Sequence, residues 1–75
     1  MSLKDKKALV SAIYPKGTRI KLVMTTDPYT HLKPGDKGTV DFIDDACQIH
    51  IRWDNHSSIA MIPGEDIIAK IEDSD

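Results

Sequence analysis

Cys47, His31, His50 and His56 are the side chains best suited to metal or nucleophilic chemistry, and the nearest pair, Cys47-x-x-His50, has residue types that bind zinc. A structural zinc site needs four ligands, usually in two close pairs. Here there is no second cysteine, and His31 and His56 fall on separate turns. The same pair is a poor nucleophile and base. A reactive thiol needs an electropositive pocket and a third orienting group, whereas Cys47 follows Asp44 and Asp45. The carboxylate pairs Asp44/Asp45 and Glu65/Asp66 lie in turn-forming stretches, where Asp satisfies local backbone donors. A chain of 75 residues also has little room to enclose a substrate. The expectation is a protein that is not an enzyme and carries no metal or other cofactor.

Two sets of residues could instead bind a macromolecule. Tyr29 and His31, in a long loop, could approach Trp53, Asp54 and Pro63 to form a groove for a protein or peptide. Trp53 is ambiguous, because its alternation with Ile49 and Ile51 predicts burial while a Trp at a strand end can instead form a groove floor. The second set is Lys16, Arg19, Lys21, Lys33 and Lys37, on or beside the first strand and the long loop, where Tyr29 and His31 could stack on exposed bases of a nucleic acid. A solvated lysine face is the plainer account of the same residues.

Composition narrows the class. Hydrophobic residues at 40% and charged residues at 29% are those of a folded globular chain. The net charge of −2 hides an asymmetry: residues 1–40 carry eight Lys/Arg against three Asp, and residues 41–75 carry two against nine Asp/Glu. The longest apolar stretch, Ile59 to Pro63, is far short of the roughly 18 residues of a membrane span. Met1 is not followed by a basic-then-apolar leader, so a cytoplasmic location is expected, and a lone cysteine agrees with a reducing compartment.

The elements that must position these residues are short. Ser2 to Tyr14 reads as an amphipathic helix, with Ser2 and Asp5 at capping spacing and Pro15 ending it; a frayed arm is the alternative. The period then changes to two. Ile20, Leu22 and Met24 alternate with Arg19, Lys21 and Val23 in a first strand, and Thr25 to Pro34 is a long loop rich in turn residues. Lys37 to Ile43 is a second strand with Val40 and Phe42 on its core face. Gln48 to Asp54 is a third, with Ile49, Ile51 and Trp53 inward. Ser58 to Ile62 is expected as a fourth strand and Ile67 to Ile71 as a fifth, separated by the Pro63-Gly64-Glu65-Asp66 turn. Ile43, Ile62 and Ile68 fall opposite their strands' expected core residues and could cover the helix or form a dimer contact. The expected architecture is mostly β: a helix or arm over residues 1–15, a five-stranded SH3-like barrel over 16–71 and an acidic tail over 72–75. An OB-fold would need a helix after the third strand, for which there is no room.

Tyr14-Pro15-Lys16-Gly17-Thr18-Arg19, Pro34-Gly35-Asp36-Lys37-Gly38-Thr39-Val40, Trp53-Asp54-Asn55 and Ile62-Pro63-Gly64 resemble a bacterial family of unknown function, from Tyr14 to about Ile71. Its members are small proteins often carried by phages, plasmids and conjugative elements. The resemblance implies an SH3-like fold and brings no activity or site residues with it. Cys47 and His56 stand where the family pattern usually has glycine, which implies positive φ at both. Gly35 is expected to need positive φ, and Gly38 to permit a bend or a close backbone approach. The functional expectation is a non-enzymatic accessory protein of a phage or mobile element that recognises a protein, as a monomer or weak homodimer; the alternative is an RNA- or DNA-binding accessory domain.

Overall fold

The structure is a computed structural model in which residues 1–26 and 31–71 are described. The described residues form one helix, α1 (Leu3–Ile13), and four strands, β1 (Arg19–Met24), β2 (Lys37–Ile43), β3 (Ile49–Trp53) and β4 (Ile67–Lys70). All strand pairs are antiparallel, in the order β3-β2-β1-β4.

The Ser2 hydroxyl caps α1 by accepting the Asp5 N–H at 3.1 Å, and Asp5 places a negative charge in the first turn, where the helix dipole favours it. Pro15 lacks the N–H that would continue the helix. Only Val10 of α1 is buried, so the helix is held to the sheet by a narrow contact. Two further ties secure it: Lys7 Nζ sits 2.8 Å from Asp45 Oδ1, and the Cys47 thiol donates to the Leu3 carbonyl at 3.4 Å.

The core forms on one face of the sheet from Ile20, Leu22, Val40, Ile43, Ile49, Ile51 and Trp53, joined by Val10, Leu32 and Met61. Alternation predicts β1 and β3 correctly at Ile20, Leu22, Ile49, Ile51 and Trp53, and fails at two bulges. In β2 the register shifts between Val40 and Phe42, so Phe42 turns outward at 52% exposure and Ile43 is buried. In β1 the shift between Leu22 and Met24 leaves Met24 exposed. Of the two other isoleucines expected on the far face, Ile68 packs against the core and Ile62 remains exposed.

The expected fourth strand is corrected to a single bridge, in which Met61 and Ile49 exchange N–H and C=O at 2.8 Å each way. The Trp53 indole N–H takes the Ile59 carbonyl at 2.9 Å, so that acceptor is not used by a ladder. Beyond Met61, the Glu65 and Asp66 N–H groups both turn back to the Ile62 carbonyl. The sheet therefore has four strands and does not close between Met61 and β4.

Two turns share one construction. In Asp44 to Gln48 the Asp44 N–H donates to the Gln48 carbonyl and the Cys47 N–H to the Asp44 carbonyl; Trp53, His56 and Ser57 repeat the pattern. Both place a non-glycine residue in the left-handed region, Cys47 at φ 64° and His56 at φ 69°, as the family resemblance implies. Gly35 likewise has φ 97°. A Cβ on Gly38 would lie 2.6 Å from Ile51 Cγ2, 3.0 Å from the Arg52 carbonyl oxygen and 3.1 Å from Trp53 Cα, which is why β2 and β3 can approach so closely there.

Candidate functional site: the outer face of the sheet

Antiparallel pairing sets cross-strand partners side by side on one face, so the register decides which outward side chains become neighbours. Arg52 pairs with Thr39 and Thr39 with Arg19, forming a row across β3, β2 and β1. Lys37 pairs with Lys21, and Lys21 with Ala69 of β4, forming a second row. Arg19, Lys21, Lys37, Thr39 and Arg52 lie on the face opposite the core, alternating with the buried residues of β1, β2 and β3. Lys16 reaches the border of this face, 3.8 Å from Asp41 Oδ1.

Acidic groups temper this surface. Arg19 makes a bidentate pair with Asp54, Nη1 to Oδ1 and Nη2 to Oδ2 at 2.8 Å each, while Nη1 also donates to Thr39 Oγ1 at 3.1 Å. The guanidinium hydrogen bonds, with the charges of Arg19 and Lys37, hold the Asp54 carboxyl below its ordinary pKa. Arg52, Lys21 and Lys37 have no acidic partner within ion-pair distance among the described residues, so positive charge is in surplus across β1 to β3.

At the end of the face nearest the β2–β3 turn, Phe42 and His50 stack with centroids 4.2 Å apart and planes 7° from parallel. His50 Nε2 lies 2.8 Å from Asp44 Oδ2, and Asp44 Oδ1 accepts the Ala46 and Gln48 N–H groups at 3.0 and 2.9 Å. The His50 hydrogen bond, reinforced by that from the Gln48 N–H, keeps the Asp44 carboxyl below its ordinary pKa. The ring pair is thus anchored from behind by the turn.

Among the described residues, the members of the expected protein-binding set do not share one groove. Trp53 is 3% exposed and lies in the core. Asp54 is bound to Arg19, His31 is exposed in the segment before β2, and Tyr29 lies outside the described residues. Pro63 lines an open cleft of about 210 Å³ with Tyr14, Ile49, Met61 and Ile68, at the unclosed seam beside β4. That volume is below the roughly 300 Å³ at which small-molecule sites begin. Of the expected nucleic-acid set, Arg19, Lys21 and Lys37 share the outer face with Lys16 at its border, whereas Lys33 lies in the turn ahead of β2, its N–H bonded to Asp36. Sequence reasoning missed Arg52 and Phe42. Arg52 could have been found from its parity opposite Ile51 and Trp53, but Phe42 could not, because a bulge sets its direction.

Cys47 and His50 are engaged in separate contacts, with Leu3 and Asp44. Among the described residues no group of three or more His, Cys, Asp and Glu side chains is placed to hold a metal ion, and no helix is long and apolar enough to cross a membrane.

Residues 4–71 match the family described as "Domain of unknown function (DUF4314)". The chain belongs to this family. The match takes in α1 from its second residue and all four strands. No curated protein and no solved structure matches the DUF4314 chain.

Proposed function

We propose that this DUF4314 domain is a non-enzymatic nucleic-acid-binding module that uses the outer face of its sheet. The observation that carries the reading is the register placing Arg52, Thr39 and Arg19 in one row and Lys37 and Lys21 in the next. Clustered cations on a solvent-facing surface displace the counterions of a phosphate backbone, and that release supplies most of nonspecific affinity. The strand order supports an SH3-like barrel left open on one side, with the Met61 bridge in the place of a fifth strand. The resemblance to proteins of phages and conjugative elements supports an accessory role for such an element.

Recognition of a protein is the second reading, and the apolar cleft lined by Tyr14, Met61, Pro63 and Ile68 favours it. Fluorescence anisotropy with labelled oligonucleotides across a salt series separates the two. The outer-face reading expects binding that weakens with salt, with a logarithmic slope of about −2 for three phosphate contacts on a single strand. Lys21→Glu with Lys37→Glu and Arg52→Glu removes it, and Lys4→Glu with Lys6→Glu on exposed positions of α1 does not. Equal loss in both variants, or no binding at low salt, rejects the reading.

A further inference from the structure

We infer that the outer face reads single strands in preference to duplex, with Phe42 as the seat for one unstacked base. This rests on the nucleic-acid reading above and adds a substrate class to it. Alternation along β2 would have put Phe42 in the core beside Val40. The bulge between Val40 and Phe42 instead buries Ile43 and turns an aromatic ring into solvent. A bulge disrupts the ladder locally, and one of its recurring uses is to re-aim a side chain. Phe42 is 52% exposed although one of its faces lies against His50, so its other face is open. The ring is also held in place before any ligand arrives: His50 stacks behind it, Asp44 holds His50, and the Ala46 and Gln48 N–H groups hold Asp44.

The surroundings match what an unpaired base and its phosphates require. Arg52 follows His50 by two residues on β3 and shares its face, with Thr39 directly across on β2. A base stacked on Phe42 would have its backbone led over Arg52 toward Lys37 and Lys21. Asp41 lies in the bulge beside Phe42, close to Lys16, which moderates its charge. Aromatic rings on a sheet surface bind unstacked bases with little regard to sequence, whereas a duplex keeps its bases stacked and offers such a ring nothing. One ring seats one base, so the preference is for strandedness and not for sequence.

The test compares a short labelled oligo-dT with a hairpin duplex of equal charge, on the full chain and on Phe42→Ala and Phe42→Trp. The expected result is roughly ten-fold weaker single-strand binding for Phe42→Ala with duplex binding unchanged. Phe42→Trp restores the affinity, and its fluorescence is quenched on titration. Thermal melts of each variant confirm that this exposed position leaves the fold intact. Equal loss on both substrates, no loss on either, or a wild type that prefers duplex overturns the inference while leaving the cationic face standing. A wild type that binds neither oligonucleotide overturns both.

Discussion

The two faces of this sheet are built by the same strands under opposite rules. The inner face tolerates only shape: Ile20, Leu22, Val40, Ile51 and Trp53 are all 3% exposed or less, and Gly38 has no room for a methyl group. The outer face carries Arg19, Lys21, Lys37 and Arg52, of which, among the described residues, Arg19 alone has its charge matched by a bidentate acid. A sheet seeking stability alone would interleave opposite charges on its solvent face, since like charges placed opposite one another are destabilising. Lys21 and Lys37 are placed opposite one another. The proposed nucleic-acid reading uses the face whose charge pattern stability does not explain.

The largest expected effect lies on the inner face. Trp53→Ala removes a buried ring and leaves the Ile59 carbonyl without its indole donor, costing about 3–5 kcal/mol, a large share of what a domain this small has. Circular-dichroism melts check it. Gly38→Ala comes next, at about 1–3 kcal/mol, because Ile51 can shift but the Arg52 carbonyl and Trp53 Cα are backbone. Lys21→Glu and Arg52→Glu sharpen the contrast: each should stay within about 0.5 kcal/mol of the parent in chemical denaturation while weakening oligonucleotide binding. A cost of several kcal/mol at either position would make the outer face structural.

Smaller effects separate the two similar turns. His56→Gly relieves a left-handed residue at an exposed site and should stabilise by up to about 1 kcal/mol. Cys47→Gly relieves the same conformation but empties a buried position and loses the contact to Leu3, so it should destabilise. Stabilisation by both substitutions would show that backbone strain dominates at both turns. Acid provides the mildest probe. Asp44 and Asp54 have folded-state pKa values below the ordinary carboxylate value of 3.8, so their contributions are fully present above that value and are lost as pH falls through the lower folded values. Asp44→Asn should flatten this loss in denaturation midpoints taken down to about pH 2.

Alternation placed β1 and β3 well because their core residues repeat every second position without interruption as far as Leu22 and Trp53. The Ser2 cap and the close approach at Gly38 were also legible, since each follows from local residue chemistry, whereas the positive φ at Cys47 and His56 was implied only by the family resemblance. The bulges were not. A one-residue slip inverts every later side chain, and whether it occurs depends on which of Phe42 and Ile43 the opposite strand can accommodate. The expected fourth strand failed for a similar reason, because the Trp53 indole takes a carbonyl that local sequence assigned to a ladder. The candidate site was half legible: lysines of β1 and β2 were recognised, but Arg52 joined them only through the register of β3. The groove expected around Trp53 depended on that ring being at the surface, and the same alternation that predicted β3 buried it.

The most direct test is a titration of isotopically labelled protein with a short single-stranded oligonucleotide, followed residue by residue through amide shifts. The outer-face account predicts saturable changes at Arg19, Lys21, Lys37, Thr39, Phe42, His50 and Arg52, with Tyr14, Met61 and Ile68 of the cleft unmoved. Changes confined to the cleft, or none at all at low salt, would contradict it.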